Sequence, residues 1–127
     1  IANWLQVCFL LLVHMLAEAG NPLDDMTKYF KNGDSKSLSS YFGSTVDLTL
    51  LDKEDVYSNS QAELMLRDFF SKHVPKTLQV LHSGDTQGTA FRIASLVTAD
   101  GMKLRLSFHV KDANGKPIIL EISIEKE

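Results

Sequence analysis

The 127-residue chain has one cysteine, Cys8, and a net charge of only −3. It has no block of like charge, no low-complexity run, no internal repeat and no linker long enough to divide it. A charge this small creates no strong field for nucleic acid or an anionic membrane. No Gly-x-Ser-x-Gly, no phosphate-cradling glycine loop and no nucleophile beside a base is present. The four histidines show no His-x-x-x-His or Cys/His spacing, so no metal site and no cofactor are expected. Asp52, Glu54 and Asp55 cluster in what reads as a hairpin tip. Calcium would want a longer series of oxygen ligands. No apolar run reaches the ~20 residues that span a bilayer.

One shorter apolar run is present, from Val7 to Ala17, and it contains His14. Ala17-Glu18-Ala19 follows, the small-x-small pattern of a signal peptidase site, and then the turn Gly20-Asn21-Pro22. Residues 1–19 are therefore read as a secretory signal peptide cut after Ala19. The alternatives are an uncleaved anchor or a buried N-terminal helix. No initiator Met and no basic stretch precede Ile1, so the start is read as truncated. Cys8 lacks the small preceding residue of a lipoprotein signal, because Val7 stands there. Cleavage would leave a thiol-free chain, which suits an oxidising compartment. The expected location is periplasmic or secreted, with no membrane span after cleavage and one domain over 20–127.

The rest is organised around the stretch from Ser58 to His73. Ala62, Met65, Leu66, Phe69, Phe70 and His73 share one helical face, and Glu63, Arg67, Asp68 and Lys72 lie on the other. Ser58 and Gln61 form a capping box, and Val74-Pro75 stops the helix. His73 at its end suits the negative pole of the helix dipole. Before it, Asn21-Pro22 opens a helix with Leu23, Met26, Tyr29 and Phe30 on its apolar side. Asn32-Gly33-Asp34 ends that helix, and a shorter one is expected from Lys36 to Phe42, closed by Gly43-Ser44.

Strands are expected at Val46–Leu50 and Val56–Tyr57, and after Pro75 at 77–82, 89–98, 102–111 and 117–125. The residues Ser83–Gly88 read as a loop, and Ala99-Asp100-Gly101 and Asp112–Lys116 as turns. Met102, Leu104, Leu106, Phe108 and Val110 line one face of their strand, and Lys103, Arg105, Ser107, His109 and Lys111 the other. In the last strand Ile118, Leu120, Ile122 and Ile124 alternate with Ile119, Glu121, Ser123 and Glu125. Antiparallel pairing of the two would set a basic stripe against an acidic one. Surface pairs of this kind contribute only about 0–1 kcal/mol each, so the ladder reads as a pairing device. The fold class is α+β, with helices packed on one face of a curved antiparallel sheet.

That element order resembles the nuclear transport factor 2-like fold, a cone of helices against a bent sheet. Lys31-Asn-Gly-Asp-Ser-Lys-Ser-Leu-Ser-Ser-Tyr-Phe42, Val46–Leu50, Tyr57-Ser58, Gln61–Glu63, Leu66–Phe70, His82-Ser-Gly84 and Ile124–Glu127 go further. With the leader, they resemble a family of small secreted bacterial proteins known as domain of unknown function 4783, best known from Bacteroidetes. The resemblance implies a fold and an envelope location, but no reaction and no catalytic residues. Cystatin-like inhibitors share the size and the helix-on-sheet form. Their Gln-x-Val-x-Gly run is not matched by Gln79-Val80-Leu81-His82-Ser83, which reads as an ordinary strand.

In the wider fold the cone often encloses a small molecule, and its enzymes place a carboxylate, histidine or tyrosine inside. Two ligand-binding candidates follow. His82 follows Leu78 and Val80 at period two and would point inward, or else is a hydrogen-bonded histidine at a strand end. Arg92 shares a face with Ala90, Ala94 and Leu96, and would bind an anion in the cone or snorkel outward. His109, on the polar face of its strand, reads as solvated. The expected function is a non-catalytic module that binds a small molecule or an envelope protein, with a homodimer through the sheet also open. The alternative is an isomerase- or dehydratase-like enzyme with His82 or an aspartate as base. An interior filled by Phe30, Phe42, Phe69, Phe91 and leucines would speak against the enzyme.

Overall fold

The computed structural model describes residues 21–127. The leader at 1–19, its cleavage point, Cys8 and His14 lie outside the described residues.

Helix α1 (Pro22–Asn32) begins as the sequence dictates: the Leu23 N–H donates to Asn21 Oδ1 at 3.0 Å, and Pro22 takes the first turn. It ends at Gly33, whose φ of 65° lets its N–H return to the Phe30 carbonyl at 3.1 Å. Helix α2 is shorter than expected. It runs Ser35–Ser39 and is capped by Asp34, which accepts the Ser37 N–H at 3.1 Å and its hydroxyl at 2.6 Å. Phe42, Gly43 and Ser44 belong not to a helix and its stop but to strand β1 (Phe42–Leu50).

A tight turn at Leu51-Asp52 leads into β2 (Lys53–Ser58), with Leu51 at φ 59°. The acidic hairpin tip is thereby corrected. Glu54 and Asp55 sit within β2 opposite Thr49 and Leu48, on opposite faces. Helix α3 (Asn59–Lys72) has the expected cap, the Gln61 N–H donating to Ser58 Oγ at 3.3 Å. Ala62, Leu66, Phe69 and Phe70 are buried. Glu63 is buried as well, contrary to its expected polar face, and accepts a hydrogen bond from Arg67 one turn on.

Four strands follow as a meander: β3 (Pro75–Thr86), β4 (Thr89–Thr98), β5 (Lys103–Ala113) and β6 (Lys116–Lys126). The expected 83–88 loop is mostly strand, and the turn itself is only Gln87-Gly88. The six-stranded sheet has the order β2-β1-β6-β5-β4-β3. All neighbours are antiparallel except β1 and β6, which run parallel because the last strand returns between β1 and β5.

Helices cover one face, here the inner face. Beneath them lie Val46, Leu48, Ala94, Leu96, Leu104, Leu106, Phe108, Ile119, Ile122 and Ile124, all buried. Strict alternation fails in β6. A bulge opposite His109 and Val110 turns Ile119 into the core and leaves Leu120 exposed. The charge ladder survives in register, with Arg105 opposite Glu125 and His109 opposite Glu121.

Candidate functional site

Arg92 stands on the inner face of β4, between Ala90 and Ala94, under α1. Its Nη1 donates to Asp24 Oδ1 at 2.8 Å and Thr27 Oγ1 at 3.0 Å, and its Nε donates to Ser83 Oγ at 2.9 Å. The guanidinium side chain is 12% exposed, against 67% for Asp24. Arg92 therefore neither snorkels to solvent nor lies open to an anion. It fastens α1 to β3 and β4, with its donors directed in three ways by a planar head. Beside it a depression of about 280 Å³ opens at the mouth of the cone, between Pro22, Leu23, Ala90, Val110 and Pro117. The charged groups on its rim are Asp85, Lys111 and Asp112.

His82 does not point inward. Between Val80 and His82 the β3–β4 register slips by one residue, so Val80 stands opposite Ala94 and His82 opposite Ile93. A one-residue slip moves a side chain to the other face. His82 is consequently on the outer face, 5.5 Å from the Phe91 ring, and Phe91 is 5.9 Å from His109. Phe91, expected in the core, is an outer-face residue too. His109 Nδ1 lies 4.0 Å from Glu121 Oε2, is covered, and has no hydrogen-bond partner among the described residues. The His109 side chain as a whole is 40% exposed. A row of three rings ending at a carboxylate crosses β3, β4, β5 and β6. The signal for this row is in β4, where Phe91, Ile93 and Val97 alternate with the inward residues and are apolar themselves.

The cone is filled. Phe30 and Phe108 are wholly buried with ring centroids 4.9 Å apart, and Phe42, Phe69 and Phe70 close around them. Among the described residues no histidine stands inside, and a carboxylate buried against the helices, Glu63, is paired with Arg67. The base expected of an isomerase at His82 is therefore on the wrong side of the sheet. Among the described residues no group of three or more His, Asp and Glu side chains is placed to hold a metal.

His73 ends α3, and its Nδ1 is 3.0 Å from Asp100 Oδ2. The Thr98 hydroxyl, and after it His73, holds the Asp100 carboxyl below the usual carboxylate range. Nearby, Leu50, Leu51, Met65, Phe69 and His73 line a groove of about 410 Å³ between the β1–β2 turn and α3.

A two-layer cone of this topology is the nuclear transport factor 2-like class. A de novo designed protein with a curved β-sheet matches 83% of the chain and 81% of its own at 18% identity and TM-score 0.59. The chain itself belongs to the family described as domain of unknown function (DUF4783), whose model matches residues 23–125. A family protein from Bacteroides uniformis is similar at 30% identity over 84% of this chain and 98% of that one, with TM-score 0.78. One from Bacteroides fragilis gives 30% identity, 80% and 94% coverage and TM-score 0.74. None of the curated proteins matches the chain.

Proposed function

We propose that this is an exported, non-catalytic protein-interaction module of the bacterial envelope, docking a partner on the outer face of its sheet. The observation that carries this reading is the contrast between the two faces. The inner face is packed by Phe30, Phe108 and aliphatic side chains, and the cation Arg92 on it already holds Asp24, Thr27 and Ser83. Among the described residues no helix covers the outer face, which carries Phe91 between two imidazoles, with Val56 60% exposed near the far edge. Partly exposed rings of this kind are the usual anchors of protein interfaces. A filled interior favours a protein partner over an enclosed small molecule.

Export rests on residues 1–19: the apolar run and Ala17-Glu18-Ala19. N-terminal sequencing of the chain recovered from a periplasmic or extracellular fraction is expected to begin at Gly20. Cross-linking in intact cells, comparing the wild type with Phe91→Asp, tests the docking face. Loss of a specific adduct in the folded variant is the expected result. An adduct that Phe91→Asp leaves unchanged, or a small molecule found by native mass spectrometry inside the cone, would sink the reading.

A further inference from the structure

The two edges of the sheet are defended differently. An edge strand presents unpaired backbone donors and acceptors, and proteins blunt such edges by shortness or by charge. Strand β2 uses both. It is 6 residues long and begins Lys53-Glu54-Asp55. Strand β3 is 12 residues long and, among the described residues, pairs with β4 alone. From Thr77 to Gly84 it has no Asp, Glu, Lys or Arg, and its centre is Thr-Leu-Gln-Val-Leu. Val80 is 42% and Leu81 51% exposed. Its one defence is irregularity, the register slips at Lys76 and Leu81.

The charges that β3 does carry lie at its two ends, Lys76 and Asp85, and they are of opposite sign. We infer that β3 is a self-pairing edge: two copies of this chain join β3 to β3 antiparallel about a two-fold axis between Val80 and Leu81, extending the sheet across the dimer. In that register Lys76 of each copy faces Asp85 of the other, which gives two ion pairs by symmetry. Thr77 meets Gly84, Leu78 meets Ser83, and Gln79 meets His82. Each of these three pairs joins residues of the same face, since Leu78 and Ser83 stand opposite the inward Leu96 and Arg92, and Gln79 and His82 opposite the outward Ser95 and Ile93. The bulge at Leu81 is what makes the faces match, because without it the two halves of β3 would be out of phase. Val80 and Leu81 are both exposed in the monomer, and at the axis Val80 of each copy meets Leu81 of the other. The shift of one residue in either direction would oppose inward to outward side chains throughout.

The inference does not depend on the outer-face reading, because the edge and the face are separate surfaces. Sedimentation equilibrium of the exported, leader-free chain tests it. The core described above lies within residues 21–127, and a crystallised family relative matches the chain over 98% of its own length. We expect a dimer at about 0.1 mM that dissociates on dilution towards about 1 μM, in the range of weak, transient association. Leu81→Lys, which sets two like charges at the axis, is expected to give a folded monomer throughout. Lys76→Asp and Asp85→Lys are each expected to weaken the dimer about fivefold, and the two together to restore it. A wild-type monomer at the highest of these concentrations overturns the inference. So does a dimer that survives Leu81→Lys but is broken by Val56→Lys, which would place the contact on the outer face. A double charge swap no better than either single swap overturns the register. A monomeric chain whose β3 amides gain exchange protection only in envelope extract would point to a foreign strand instead of a second copy.

Discussion

Arg92 shows how a charged side chain on a core face is made tolerable. Its head is 12% exposed and reaches three acceptors on two elements. Truncation removes those bonds together with the packing of the stem. Arg92→Ala is expected to lower unfolding stability by about 1–3 kcal/mol, read by urea titration. Arg92→Lys should recover only part of that loss, since an ammonium is a point donor and cannot span Asp24, Thr27 and Ser83 at once. Two carboxyls carry a pH signature. The Ser37 hydroxyl and backbone N–H hold Asp34 below the ordinary range, and the Thr98 hydroxyl and His73 do the same for Asp100. A depressed folded pKa means that the unfolded chain binds the proton first. The stabilisation is complete above the unfolded value of about 4 and is lost as pH falls through the lower folded values. Thermal unfolding followed from pH 5 to about 2 should show this decline, and Asp34→Asn with Asp100→Asn should flatten it.

Among the elements, the helices follow from local rules and can be tested by them. Ser58 caps α3, so Ser58→Ala is expected to cost about 1 kcal/mol. Gly33 sits at φ 65°, where an added Cβ would also stand 3.3 Å from Phe70 Cβ and Pro75 Cδ. Gly33→Ala should cost about 1–2 kcal/mol by the left-handed conformation alone, and more if Phe70 cannot yield. Both are measurable as shifts in the denaturation midpoint. These caps, the α3 face and the 89–98 strand were legible in the sequence, because a 3.6-residue or two-residue period states which side is buried. The misplaced faces of His82 and Ile119 share one cause. The bulges at Leu81 and Leu120 add a residue, and period counting beyond them assigns the wrong face. His82 was placed inside for that reason, and Ile119 outside. Nothing local marks either bulge, since each depends on what the neighbouring strand offers. Arg92 was placed on its true face, but its partners on α1, Asp24 and Thr27, are 65 and more residues away and could not be read from β4.

For the molecule as a whole, the question is whether the cone works as a pocket or as a core. Folds of this shape admit either, and side-chain volume decides between them. Here Phe30 from α1 and Phe108 from β5 meet at the centre with neither accessible to solvent. Together with Leu48, Leu66, Leu106 and Ile122 they form the bond between the helical layer and the sheet. If this volume is structural, removing it must be costly. Phe108→Ala is expected to destabilise the fold by about 3–5 kcal/mol, the loss of a buried ring plus the void it leaves. The cavity would be apolar, since its walls are aliphatic and aromatic, and a dry cavity of that kind accepts small aromatic guests. Benzene added to Phe108→Ala should therefore raise its melting temperature and leave the wild type unchanged. A wild type stabilised by benzene to the same degree would mean that the cone is already open. The interior would then regain its claim as the binding site over the outer row of His82, Phe91 and His109.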